Sequence, residues 1–233
     1  MPVLEAVVVT VFWSVVTILF YLLSKRIYRR FPTPVTSPLL LAPVLLILLA
    51  LLLKQNYAGY IHATHWLVLL LGPATVAFAL PIFEQWKTIR RYWPVLLFGV
   101  IVGSSMAILS AWGLATLLGL NGSLRLSLLP RSLSTPFAMN VSQNIGGVPD
   151  LTAVFVVITG VSGAIIGDFL IRFLPLRSAM ARGALFGMGA HGAGVAKATE
   201  IGLEESSVAG LVMVLVGVVN VLTAPLLHIL LNS

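Results

Sequence analysis

The apolar positions of this chain fall in long runs separated by short polar connections. Runs cover residues 3–23, 39–53, 65–83, 94–120, 151–174, 183–198 and 208–231. About 20 apolar residues make a helix long enough to cross a bilayer. The pattern therefore predicts an all-α integral membrane protein with about seven to eight hydrophobic segments. Basic residues gather between the runs, as Lys25, Arg26, Arg29 and Arg30, as Lys87, Arg90 and Arg91, and as Arg172, Arg177 and Arg182. Short basic loops mark the cytoplasmic side, which leaves the N-terminus outside.

One stretch breaks the pattern. Residues 130–150 read PRSLSTPFAMNVSQNIGGVPD, rich in hydroxyls, Gly and Pro, yet they lie between two apolar runs. Pro136 lacks a backbone donor and disfavours helix at Thr135. Gly146, Gly147 and Pro149 stop a helix on the other side. Irregular backbone at membrane depth is tolerated only inside protein or along a wet cavity. The segment 125–147 is therefore expected to be a broken or re-entrant helix lining a polar solute path; the alternative is a surface loop. A re-entrant hairpin is preferred because a full span would carry Arg172, Arg177 and Arg182 outside. Pro73 and Pro81 interrupt the third run, and residues 183–198 form a second glycine-rich stretch, GALFGMGAHGAGVAKA. Interrupted apolar segments of this kind point to a transporter site.

An internal repeat accompanies the breaks. FGVIVGSSMAIL at 98–109 and FVVITGVSGAII at 155–166 match at seven of 12 positions. Each follows a Pro-interrupted segment with a similar cluster, ATVAFA at 74–79 and STPFAM at 134–139. The first copy begins beside a basic loop and the second ends beside one, so the copies should cross in opposite directions, an inverted-topology repeat. The expected organisation is a single membrane domain over residues 1–233. Helices of about 1–60 are available for oligomerisation. About 64–120 form a first repeat with a broken helix, and about 124–233 a second repeat with broken helices.

Composition narrows the functional classes. The 233 residues are 59% hydrophobic and only 9% charged, whereas soluble domains carry roughly a quarter charged residues. The net charge of +7 sits in short loops, so nucleic acid is not an expected partner. With no cysteine, disulfide and thiolate-metal chemistry are excluded. The first apolar run is too long for a signal core and lacks a basic start. No G-x-S-x-G, H-E-x-x-H, P-loop or dinucleotide fingerprint occurs. The reading is a protein that is not an enzyme, with no catalytic residue, metal or cofactor.

Candidate chemistry gathers at the breaks. Arg131, Ser132, Ser134, Thr135 and Asn140 surround Pro136. A helix start offers free N–H groups that attract anions, and Arg131 adds a fixed positive charge. The set suits a small carboxylate; the alternative is that the hydroxyls satisfy the broken backbone. Thr75 belongs to the matching cluster at 74–79. His191 is flanked by glycines in GAHGAG, Gly192 among them, and titrates in the range that allows proton coupling; the alternative is a packing histidine. Lys197 and Glu200, three apart, form either a structural pair or a gate. Asp168 is expected to pair with Arg172 at i+4.

At PRSLSTPFAMNVSQNIGGVPDLTAVFVVITG, at ARGALFGMGAHGAGVAKA and at PATVAFALPIFEQ the chain resembles the LrgB/CidB family of bacterial membrane proteins, most strongly over residues 128–210. The resemblance implies likeness to the LrgB part of the plastid glycolate/glycerate translocator. Bacterial members are holin/antiholin-like regulators of murein hydrolase activity and autolysis, some linked to pyruvate uptake, often beside a small LrgA/CidA-type membrane protein. The chain departs from the family pattern in places. Arg131 stands where Lys is usual, and Ser134 with Thr135 where two Thr are usual. Met188, Ala190 and Val195 replace hydroxyl residues around His191, and Lys197 replaces Arg.

The expected function is secondary transport of a small organic anion, a short hydroxy or keto acid such as glycolate, glycerate or pyruvate, with proton coupling as an option. Arg131, Ser132, Ser134, Thr135, Pro136, Asn140 and Thr75 would meet the carboxylate; His191, Gly192 and Lys197 would shape the facing wall. A homo-oligomer in the bacterial inner (cytoplasmic) membrane is expected, with elevator and rocking motions both open. The rival reading is a holin/antiholin-like protein regulating murein hydrolase export and autolysis.

Overall fold

A computed structural model describes residues 3–33, 35–77 and 79–232. Pro34, between the first two apolar runs, and Phe78 of the ATVAFA cluster lie outside the described residues. The described chain is helical: α1 (Val3–Arg30), α2 (Pro38–Leu52), α3 (Tyr57–Leu69), α4 (Leu71–Ala77), α5 (Ala79–Glu84), α6 (Trp86–Leu117), α7 (Gly122–Leu128), a 3-10 turn (Leu129–Ser132), α8 (Thr135–Ile145), α9 (Pro149–Phe173), α10 (Ala179–Ile201) and α11 (Leu203–Asn232). The all-helical membrane fold expected from the apolar runs is present. Among the described residues, five stretches are long and apolar enough to cross a membrane: Glu5–Arg30, Tyr57–Glu84, Trp86–Leu117, Pro149–Phe173 and Leu203–Ile229. Helix α2 is shorter.

Two basic clusters continue helices instead of forming loops. Lys25 to Arg30 extend α1, and Lys87, Arg90 and Arg91 open α6. The charged turn of α6 is set off by a kink at Tyr92 (φ −116, ψ 18), two residues before Pro94. Proline removes a helical hydrogen bond and crowds the carbonyl four residues earlier, so the bend falls where the apolar run begins.

The chain divides into two compact units, Met1–Pro73 and Ala74–Ser233. In the first, α1 is held to α3 by aromatic and hydroxyl contacts. Trp13 packs edge-on against Tyr60 with ring centroids 5.2 Å apart. Trp66 Nε1 donates to Ser14 Oγ at 2.8 Å.

In the second unit, α11 is the central column, packed by α5, α6, α8 and α10. The face of α8 carrying Phe137, Val141 and Ile145 is buried with Leu211, Val212 and Val216 of α11. That i, i+4, i+8 spacing is one stripe of a helix. The Phe137 ring takes the space a side chain would need at Gly217.

The segment 122–148 is a hairpin. Leu133 and Ser134 are extended (ψ 164 and 149) and separate the first arm, α7 with its 3-10 turn, from the second, α8. The break thus falls just ahead of Thr135. Thr135 opens α8 and Pro136 lies in its first turn, where the missing N–H has no helical partner to lose. The return is closed at Gly146, a left-handed cap with φ 88. Val148 N then donates to Ser127 Oγ at 2.8 Å, across 21 residues of chain.

Three fully buried hydroxyls lock this base. Thr152 Oγ1 lies 2.9 Å from the Ser127 carbonyl and 2.7 Å from Ser142 Oγ. Ser127 Oγ donates to the Ser123 carbonyl at 2.6 Å. A side chain at Gly147 would run into Ser142 Oγ and the Ser127 backbone.

Replacing Thr152 with Val keeps shape and deletes the hydroxyl, leaving buried Ser127 and Ser142 groups short of a partner. Thermal unfolding in detergent should show a loss of about 1–3 kcal/mol. Thr223→Val, at an exposed hydroxyl that bonds only within its own helix, should stay within about 0.5 kcal/mol of wild type.

Candidate functional site

A second hairpin lies inside α10. Its backbone leaves helical geometry at His191, with φ 39 and ψ −122. A side chain at Gly194 would collide with the carbonyl oxygen of Phe186. Eight residues of straight helix would separate those two positions by ~12 Å. The arm after His191 has therefore folded back along the arm before it.

The packing of the first arm fixes its direction. Gly183 faces Glu205 and Val208, and Gly187 faces Ala209, so the arm runs parallel to α11. Gly160, Gly163 and Gly167 of α9 face His191, Gly189 and Phe186 in that order, so α9 runs the opposite way. Glycine at these positions lets backbones meet without an intervening side chain.

The base of this hairpin is clamped by charge. Arg182 Nε and Nη2 donate to Oε1 of the buried Glu205 at 3.0 and 2.6 Å, and Nη1 reaches the Leu176 carbonyl at 3.2 Å. Glu205 is thus a buried partner of Arg182, tied in at the start of α11. Further along, Lys197 Nζ lies 2.8 Å from Glu200 and 3.3 Å from Asp168, and Asp168 also pairs with Arg172 at 3.0 Å. Both expected local pairs are present, and the Asp168–Lys197 contact joins them across α9 and α10.

The two hairpins enter from opposite ends of α9. The first has its base at Val148 and Thr152, the second near Asp168. Their tips meet part-way along. The 3-10 turn of the first and Met188 of the second line one cavity of about 10 Å³, enough for a single water-sized group. Ser104 on α6 and Asn220 on α11 complete its polar wall with Ser132. Asn220 Nδ2 lies 2.8 Å from both Ser104 Oγ and the Val216 carbonyl.

The candidate residues separate by depth. Ser134 is the residue before α8, only 5% exposed, and its Oγ has no hydrogen-bond partner. His191 is the second tip, also 5% exposed; its ring engages the backbone of Val156, and Nε2 has no hydrogen-bond partner. Arg131, Ser132, Thr135 and Pro136 flank the first tip and are half-buried. Among the described residues the Arg131 guanidinium makes no hydrogen bond or ion pair. Gly192 is exposed, with open space beside it.

Three candidates stand apart from the tips. Asn140 is exposed on α8 and accepts from Asn144 at 3.1 Å. Lys197 is held in the charge network described above. Thr75 sits half-buried on α4.

The sequence carries no sign of the roles of Ser127, Ser142, Thr152 and Asn220, and marks Ser104 only as a small residue suited to close helix contact. The only signal for Asn220 was one amide inside an otherwise apolar run. Arg125 also gained a partner invisible in sequence: its guanidinium carbon lies 3.9 Å from the Trp112 ring centroid.

A helical membrane protein with two broken segments meeting inside one bundle is the class these features define. The chain belongs to the LrgB-like family, whose profile matches residues 17–230. It is 42% identical to the uncharacterized protein YwbG of Bacillus subtilis over 91% of this chain and 94% of that one. It is 36% identical to YxaC of the same organism, over 90% and 91% of the two chains. It is 29% identical to the holin-like protein CidB of Staphylococcus epidermidis, over 92% and 93%. No solved structure matches the chain.

The hairpin in α10 depends on close backbone approach, which gives a paired test. Gly194→Ala forces apart the two arms and should cost about 1–3 kcal/mol as overpacking. Gly189→Ala meets open space and should be neutral or stabilising by up to ~1 kcal/mol through helix propensity. Thermal unfolding followed by circular dichroism reads both.

Proposed function

We propose that this protein is a secondary transporter of small organic anions, a short hydroxy or keto acid being the cargo, in the cytoplasmic membrane of a bacterium. One observation carries the reading: two hairpins from opposite ends of α9 bring Ser132 and Leu133 of the first and Met188 of the second to one small cavity, and Ser134 and His191, close by in sequence, each carry a buried polar atom with no partner. Burying such atoms without partners costs about 1–3 kcal/mol each, and a solute that bonds them would recover that cost. Discontinuous helices meeting mid-bundle are how carriers build solute sites without a continuous water path.

Arg131 supplies the charge. An uncompensated cation at a membrane-embedded break favours an anionic cargo, and Ser132 and Thr135 stand beside it. On this reading His191 and Gly192 form the facing tip, with protonation of His191 as the route to proton coupling. Asn140, Lys197 and Thr75 would approach the solute only after the hairpins move. The short helices α4 and α5 precede α6 much as the first hairpin precedes α9, which supports extending the proposal to an inverted repeat. A homo-oligomer is part of the same proposal.

The printed name of the CidB relatives favours a second reading, a holin-like pore, alone or with a small LrgA/CidA-type membrane protein. A pore requires copies to line a continuous aqueous path. In the second unit, most of the buried polar side chains among the described residues lie instead at the two hairpins and their bases.

Purified protein in liposomes separates the readings. Uptake of labelled glycolate, glycerate or pyruvate should be saturable, and imposing a pH gradient tests for proton coupling. Arg131→Gln and Thr135→Val should each reduce it at least about tenfold, the effect of losing roughly 1.4 kcal/mol of binding. Release of a trapped large dye, with no saturable uptake, would establish the pore instead.

A further inference from the structure

We infer that the cavity between the hairpin tips receives the neutral, oxygen-bearing end of the solute, with Ser104, Ser132 and Asn220 as its polar wall and Met188 as the residue that limits solute length. The inference rests on the carrier reading above and names further residues of its site. Ser104 and Asn220 thereby become binding residues, and Met188 a specificity-determining one.

The cavity is uncharged. Its polar groups are two hydroxyls and one carboxamide, and the rest of its wall is apolar, Leu129, Leu133 and Val216 included. An ionised carboxylate has no counter-charge there, and burying one unpaired is strongly unfavourable. A hydroxyl or keto oxygen is different. It is water-sized, needs one or two hydrogen bonds, and fits a space of about 10 Å³.

The carboxylate has its own place one residue away. Arg131 precedes Ser132 in the same 3-10 turn, and its guanidinium does not line the cavity. A solute lying across this turn puts its carboxylate toward Arg131 and its oxygen-bearing carbon toward Ser132.

The polar wall is held ready for such a group. Asn220 Nδ2 is fixed by Ser104 Oγ and the Val216 carbonyl. Its carboxamide oxygen is an acceptor, and the Ser104 hydroxyl retains its own proton to donate. Asn220 is buried on an otherwise apolar face of α11, where a polar residue without a task is rare.

Met188 closes the opposite side. Its thioether tip fills the space beside Gly103, where a side chain on α6 would collide with it. Methionine is unbranched, with three rotatable bonds, so this wall can yield or be cut back without moving the backbone. Shortening it lengthens the cavity toward α6.

The test uses full-length protein in liposomes and labelled glycolate influx, with unlabelled acetate, glycerate and 2-hydroxybutyrate as competitors. Met188→Ala should improve inhibition by 2-hydroxybutyrate relative to glycerate at least tenfold. Ser104→Ala should reduce the preference for glycolate over acetate at least tenfold while acetate affinity stays within twofold. Asn220→Leu should do the same; should it fail to fold, Ser104→Ala, which leaves the Asn220–Val216 bond intact, decides alone. Saturable transport with wild-type selectivity in Met188→Ala and Ser104→Ala overturns the cavity assignment and leaves the carrier reading standing. Absence of saturable uptake in the wild type overturns both.

Discussion

A helix that stops inside an apolar body exposes N–H and C=O groups that water cannot reach, and they must be satisfied by the protein itself. The second unit of this structure is arranged around meeting that requirement twice. At the first break the hairpin is closed by hydroxyls. Ser127, Ser142 and Thr152, all fully buried, tie its base to the start of α9. At the second the closure is ionic, with Arg182 clamped by Glu205 and the Leu176 carbonyl.

With both bases secured, the tips can afford irregular backbone. His191 occupies a φ/ψ combination that glycine adopts freely and other L-residues rarely do; such conformations cost about 1–3 kcal/mol and persist only where packing enforces them. Gly160 and Gly163 on α9 provide that packing by letting the tip press against bare backbone. The conformation and the glycine stripe therefore explain each other. The repeat-like FVVITGVSGAII reads, in three dimensions, as the track on which the second hairpin lies.

Much of this was legible in sequence, for identifiable reasons. Pro136, Gly146 and Gly147 announce a break because their effects are local: a missing donor, a left-handed cap. The apolar runs announce membrane helices because bilayer thickness fixes their length. Residues 183–198 were readable as unusual, but not as a hairpin. Glycine allows a fold-back without dictating one, and the residue at the turn is a histidine. The hydroxyl lock was invisible because its members sit at 127, 142 and 152, a spacing with no helical or strand period. Ser104 and Asn220 are 116 residues apart and meet only through tertiary packing. Local grammar thus marked where the chain breaks, and long-range packing decided what each break is for.

The charges follow the same logic. Among the candidates, Lys197 is already compensated by Asp168 and Glu200, and a cation so held gains little from a further anion. Arg131 is the contrasting case, half-buried beside a break with no acidic partner among the described residues. Desolvating a cation without a partner is unfavourable unless something else supplies the negative charge. Water can do so in part at a half-buried site, but water also enters any wide passage, whereas the tips here leave room for one such molecule. On the carrier reading proposed above, Arg131 is thus the charge that a small anion would complement, and Lys197 is not.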